Sequence, residues 1–470
     1  MIEWFRNRGV RRAAVLIVIY ALGVAPSLGQ ALLESHAYRQ TQTAFTAVLF
    51  ADRGIDLLRP PLPILGPPGV LPLEFPLFQA VAALPVWAGI APDLAMRLTG
   101  LLCFIASASL LFLVARRVAG EVAALIALGA FLFNGHAWLY GRASLIEYLA
   151  TAGGLGFLLF ATRWLDGRSR TAWIAALVMG GIGVLVKVTT GAFYLLPILL
   201  WRSPTGRWGF QRPSAWLLIG IVGLVGLAWS GYSDGIRANQ PATEFLATHN
   251  QYEWLFGTVT QRLDLASWRV PLVALLTLTG FGLVGWAFLA VRAISGHPQR
   301  AFIAAAFLLV PIMPFVFFNL YAVHDYYWAA VAPLIALGIG IGAVWVMGRW
   351  PARWARLLTV GLAGAWLATI VGSFGTWSII YGEPAVEQRT MRIVDFIRAN
   401  SEADDWVVLD GFGWNSSFLY YARRQGFAVP DENTEQDTTN LHVDEILTDP
   451  TYGPFISCEP SGACIVEAGP

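Results

Sequence analysis

Apolar residues gather in long runs near 13–30, 94–115, 121–135, 143–164, 172–187, 190–201, 214–231, 270–291, 301–319, 328–347 and 356–375. A perpendicular helix needs roughly 20 apolar residues to cross a bilayer, so this pattern predicts about eleven transmembrane helices, some ending below the surface. Orientation follows from the connections between the runs. With the N-terminus cytoplasmic, the inside connections hold Arg116 and Arg117; Arg163, Arg168 and Arg170; Arg202, Arg207 and Arg212; Arg292 and Arg300; Arg349, Arg353 and Arg356. Every short inside connection is then basic, as the positive-inside rule requires. Arg6, Arg8, Arg11 and Arg12 followed by Ala13–Ala25 have the form of a signal peptide. The spans that follow favour an uncleaved signal anchor.

Three long stretches then face outward. Residues 31–93 join the first two spans and carry Pro-rich turns (PPLPILGPPG) between amphipathic pieces; residues 232–269 form a second loop; residues 376–470 form a tail. The expected organisation is a transmembrane module over 1–375 and a soluble domain over 376–470. The tail holds sixteen acidic and five basic residues, the balance of a solvated domain. Within it Trp406–Gly411 reads as a strand, Ser416–Gln425 as a helix, and Phe427–Pro430 and Cys464–Glu467 as further strands. The fold class is therefore an α-helical polytopic membrane protein with a small C-terminal α/β appendage.

Composition agrees. Only 13% of the 470 residues are charged and 56% are hydrophobic, where a soluble domain carries roughly 25% charged residues. Three cysteines exclude a disulfide scaffold. Cys103 reads as a small hydrophobe, while Cys458 and Cys464 are placed to pair if the tail faces an oxidising space. Nothing in the charge pattern suggests a nucleic-acid partner.

The candidate chemistry lies just outside the helix ends, on one side. Glu34, His36, Tyr38, Arg39, Gln40, Gln42 and Thr43 follow the first span; Glu74 and Gln79 close the first loop; His136, Tyr140, Arg142, Ser144 and Glu147 open the fourth span. Lys187 is the only lysine in the chain, and Asn319, Tyr321, His324, Asp325, Tyr326 and Tyr327 precede the tenth span. Ionisable groups at membrane depth are costly and usually functional. Each group also has a plain structural reading: the tyrosines as an interfacial belt, Asp325 as a helix cap, Lys187 as a snorkelling side chain. Glu147 lies about one turn inside its span and needs a cross-helix partner or an aqueous cavity. Glu34 has the chemistry of a general base or of an oxygen ligand to a hard divalent cation. Cations beside a carboxylate at the outer boundary suit a lipid-borne phosphate and the activation of a hydroxyl.

The same segments resemble bacterial GT-C-fold glycosyltransferases, the group that includes protein O-mannosyltransferases and lipid A aminoarabinose transferases. ESHAYRQTQTA (34–44) is similar to their first-loop pattern [D/E]-x-H-x-[WFY]-R-Q-[TA]-[QD]-T-A, and EFPLFQ (74–79) to its end. MRLTGLL (96–102), GRASLIEYLA (141–150), LVKVTTG (185–191), NLYAVHDYYWAAVAP (319–333) and GWNSSFLYYARRQGF (413–427) match in place. The resemblance implies inverting transfer of a sugar from a polyprenyl-phosphate donor to a lipid, glycan or protein hydroxyl, at the periplasmic face of a bacterial inner membrane. It makes Glu34 the catalytic base, with His36, Arg39, Gln40 and Gln42 shaping the site. Arg142, Lys187 and His324 are the expected partners of the donor phosphate. Glu74 and Glu147 are expected on sugar hydroxyls or on a shared metal, and Asp325 and Tyr326 complete the substrate set. Relatives differ in their need for a divalent cation such as Mg or Mn, with Glu34 its candidate ligand here. A lipid-linked glycan transporter or flippase is the main rival, and a non-catalytic envelope scaffold the third reading. A transporter often shows symmetry between two halves, and the sequence has none.

Overall fold

The computed structural model describes residues 8–278, 281–372, 382–410, 412, 415–428, 452–458 and 464–467. Each of the eleven apolar runs is helical in whole or in part. Among the described residues, Arg8–Ser27, Pro92–Leu132 and Pro213–Ala238 are long and apolar enough to cross a membrane, and shorter apolar helices accompany them. The chain is a membrane protein.

The 41-residue helical segment Pro92–Leu132 breaks at Gly120, whose φ of 87° only glycine adopts freely. The Phe104 and Phe131 rings stack at 5.0 Å. Twenty-seven residues of straight helix would hold them about 40 Å apart, so the two halves fold back on each other. This is the second and third run as a hairpin. The helices Glu147–Gly167 and Arg170–Val186 cross closely, because a Cβ on Gly153 would come within 2.4 Å of the Gly183 backbone. Small residues at such crossings bring membrane helices together.

Three runs are less regular than their hydropathy predicts. The sixth begins after a break at Lys187 and continues as the short helix Val188–Gly191 with 3-10 turns to Leu200, where Pro197 withholds an amide. The eighth divides into Arg269–Val273 with a π turn and Gly282–Ile294. The tenth is helical only from Ala332, leaving Asp325–Ala330 as a 3-10 turn. The end of the eleventh run, residues 373–375, lies outside the described residues.

The first loop carries two helices of its own, Ala37–Arg53 and Leu77–Trp87. In the last quarter of the chain, the helix Pro384–Ala399 precedes strands β1 (Trp406–Asp410), β2 (Gln425–Ala428), β3 (Tyr452–Cys458) and β4 (Cys464–Glu467). Their order is β2-β1-β3-β4, with β1 parallel to both neighbours and β3–β4 antiparallel. The helix expected over 416–425 is Ser417–Ala422, and β2 starts earlier than the strand expected at Phe427. Gly411, Gly413, Trp414, Val429 and Pro430 from those expectations lie outside the described residues. Cys464 is disulfide-bonded and lies opposite Cys458 in the β3–β4 ladder. Cys103 is free.

The sheet is joined to the first loop. Gly426 of β2 donates to Pro63 O and accepts from Gly66, and Ala428 donates to Ile64 O, so residues 63–66 extend the sheet edge. Tyr420 and Tyr421 donate to the two Asp93 carboxylate oxygens at 2.7 and 2.9 Å. Ser416 donates to Tyr38 O. The helix Ala37–Arg53 thus packs against Leu77–Trp87 and Pro92–Leu132 and, from the tail, against Ser417–Ala422.

Candidate active site

The helix Ala37–Arg53 begins abruptly. Its N-cap, His36, has φ 57° and ψ 38°, and no side chain caps the first turn. A left-handed non-glycine residue is uncommon and must be held in place by its surroundings. Here the His36 carbonyl accepts from Arg39 and Gln40. The His36 ring meets Asp325, with Nε2 at 2.9 Å from Oδ1. Asp325 also accepts from the Tyr140 hydroxyl, and its carbonyl lies 3.2 Å from His136 Nε2. Burial raises the Asp325 carboxyl, but its bonds to His36 and Tyr140 outweigh that and hold it below the usual carboxylate range.

Beside this turn opens a cavity of about 570 Å³. His36, Ala37, Tyr38, Arg39 and Gln42 form its polar wall, with Glu74 and His324. Tyr326, Tyr327, Trp254, Phe245 and Leu73 supply apolar surface, and Phe412 and Asn415 close it from the tail side. Arg39 makes an ion pair with Glu74 and donates to Gln42 Oε1 at 3.0 Å. His324 approaches the Tyr38 hydroxyl at 3.3 Å. Burial first, then the nearby cations Lys187 and Arg39, push the His324 imidazole down to about 3. It faces the cavity as a neutral ring.

Of the residues expected at the site, His36, Arg39, Gln42, Glu74, His324 and Tyr326 line this cavity. The others stand behind its wall. Glu34 is clamped by two fully buried arginines: Arg97 Nη1 donates to Oε1 at 2.7 Å, and Arg142 Nη1 and Nη2 donate to Oε1 and Oε2 at 3.1 and 2.7 Å. Arg97 also donates to Gln30 O and Ala31 O, fixing the end of the first span. Burial would raise the Glu34 carboxyl, yet Arg97 and Arg142 hold it down to about 2. Glu34 lines a separate recess of about 120 Å³, shared with Glu383 and Glu387. Gln40 is fully buried and buckles the loop, donating to Ser35 O and accepting from the Ser144 amide. Lys187 pairs with Glu147 beneath the tyrosine wall, its Nζ 3.7 Å from the Tyr327 ring centre. Arg142 and Lys187, expected on a donor phosphate, pair with Glu34 and Glu147.

A divalent cation fits poorly at Glu34, because both of its oxygens accept arginine hydrogen bonds. Among the described residues no three His, Cys, Asp or Glu side chains gather as a metal cluster. Sequence reasoning passed over Arg97 as a site residue, although one arginine in an apolar run is itself a signal. It also passed over Trp254, Phe245, Phe412 and Asn415, which carry no ionisable group to draw notice.

Comparison with known proteins places the fold. The chain resembles ArnT from Cupriavidus metallidurans bound to undecaprenyl phosphate, with TM-score 0.62, 14% identity, and coverage of 95% of this chain and 92% of that one. The archaeal oligosaccharyltransferase AglB from Archaeoglobus fulgidus, in complex with an inhibitory peptide and a dolichol-phosphate, aligns at TM-score 0.58 and 13% identity over 97% and 70%. The chain has the GT-C fold. Residues 76–230, from the end of the first loop through most of Pro213–Ala238, match the dolichyl-phosphate-mannose-protein mannosyltransferase family. No curated protein matches by sequence. Within this fold the cavity lies between the first loop, the turn at 324–327 and the sheet-bearing tail.

Proposed function

We propose that the protein is an inverting glycosyltransferase that moves a sugar from a polyprenyl-phosphate donor to a hydroxyl acceptor at the periplasmic face of a bacterial inner membrane. The observation that carries this reading is the cavity beside His36, with a polar wall that holds the Arg39–Glu74 ion pair and an aromatic one. The polar wall suits a phosphate. Arg39 supplies a guanidinium, and the uncapped first turn of Ala37–Arg53 presents backbone N–H groups at the positive end of a helix. The aromatic wall suits the apolar faces of a sugar and the start of an isoprenoid tail. Glu34, Arg97 and Arg142 fasten the loop that carries the polar wall. The acceptor is a lipid, glycan or protein that enters past the tail residues Phe412 and Asn415.

The test is incubation of purified protein with a panel of polyprenyl-phosphate sugars. Release of polyprenyl phosphate is expected, and the preferred donor names the sugar. Movement of intact donor across vesicles without release is the flippase outcome and sinks the proposal.

A further inference from the structure

We infer that His36, oriented by Asp325, is the group that takes the proton from the acceptor hydroxyl. The inference rests on the glycosyl-transfer reading above and assigns its base. Asp325 is held ionised and only accepts hydrogen bonds, so the proton of the 2.9 Å contact belongs to His36 Nε2. A neutral imidazole carries one N–H, and Nδ1 is then left with its lone pair. No described group hydrogen-bonds Nδ1, and His36 lines the cavity. This is the division of labour by which a carboxylate fixes the tautomer of a catalytic histidine. His36 has a left-handed backbone, and its ring meets Asp325. Other candidates are worse placed. Glu34 is engaged by two arginines behind the wall, Glu74 is paired with Arg39, and His324 is too weak a base at about 3.

The step balances. The acceptor oxygen attacks the anomeric carbon as its proton passes to His36 Nδ1. The bond from that carbon to the phosphate oxygen breaks, and its electron pair leaves with the polyprenyl phosphate. The imidazolium then returns its proton to water. The titratable and charged neighbours of the ring are Tyr38, Tyr140, His324, Asp325 and Tyr326. Asp325 is a positioning residue, touching neither donor nor acceptor.

The experiment compares the intact protein with His36→Asn, Asp325→Asn and Glu74→Gln, using one donor that the intact protein turns over. Asparagine tolerates the left-handed backbone, so His36→Asn keeps the turn. Polyprenyl phosphate alone serves as the binding probe and checks that each variant is folded. Expected for His36→Asn are a kcat lower by about 10²–10⁴-fold, probe affinity within about threefold of the parent, and loss of the acid limb of the kcat–pH profile. Asp325→Asn is expected to lower kcat with unchanged probe affinity, because its amide can donate to Nε2 and move the ring proton to Nδ1. An acid limb that survives in His36→Asn overturns the inference, as does its disappearance in Glu74→Gln alone. Either result leaves the glycosyl-transfer reading standing. Absence of polyprenyl phosphate release by the intact protein from every donor removes the reading and the inference together.

Discussion

At the scale of single residues, the densest electrostatic investment is the Glu34–Arg97–Arg142 cluster, and it faces away from the large cavity. Two guanidiniums with no exposed surface share one carboxylate. Removing that charge strands both, and breaking a buried pair costs about 3–5 kcal/mol. Glu34→Gln should therefore lower thermal stability by that order, with activity falling alongside. The pH dependence has a definite sign. Because the folded carboxyl sits at about 2 against an ordinary 4.5, its stabilisation is complete above about pH 4.5 and disappears as pH falls toward 2. That window is worth about 3 kcal/mol at 1.36 kcal/mol per unit. Unfolding of the parent and of Glu34→Gln across pH 2–6 checks it: the parent should lose the excess stability and the variant should have little to lose. A variant as stable as its parent at pH 7 removes the anchoring role.

At the scale of elements, the cluster forms only because two backbones nearly touch. A Cβ on Gly100 would lie 2.2 Å from Ala143 O, so the helix that carries Arg97 lies directly against the turn that carries Arg142. Gly100→Ala must push them apart, and overpacking of this kind costs about 1–3 kcal/mol. Gly223→Ala, with nothing within 4 Å, is the control and should be neutral or slightly stabilising through helix propensity. Thermal unfolding in one detergent decides it; equal effects would mean that the contact at Gly100 does not position the arginines. This dependence on contact explains what the sequence disclosed. Local spacing put Glu34, His36 and Arg39 in one segment and hydropathy located the helical runs, because both signals lie within a few residues. Which way those side chains point was hidden. Glu34 and His36 are two positions apart, yet Glu34 turns to Arg97 and Arg142 while His36 turns to Asp325, partners 63 to 289 positions away. Strand β3 was likewise missed, since YGPFISC alternates weakly and gains its partners only through β1 and β4.

At the scale of the molecule, the helix Glu147–Gly167 ties the two faces together. Its first residue pairs with Lys187 under the cavity, and near its last turn Asp166 pairs with Arg117 and accepts from Trp201 Nε1 at 2.9 Å. Twenty-one residues rise about 30 Å, close to the hydrocarbon thickness of a bilayer. The end at Asp166 is the one where Arg163, Arg168, Arg202, Arg207 and Arg212 gather. The end at Glu147 belongs to the cavity and the sheet. If basic residues stay in the cytoplasm, the cavity opens to the periplasm, where an acceptor on the cell exterior would meet it. Cysteines added one at a time to a Cys103→Ala background, under non-reducing conditions that keep the Cys464 disulfide closed, test this with a membrane-impermeant maleimide. Asp404→Cys, exposed beside β1, should label in intact cells with the outer membrane made permeable. Thr205→Cys, exposed in the basic connection, should label only after the inner membrane is breached. The opposite pattern would put the cavity in the cytoplasm and overturn the periplasmic placement of transfer. Labelling at Asp404→Cys alone fixes the loop of Ala37–Arg53 outside as well, because β2 and residues 63–66 share one hydrogen-bonded edge.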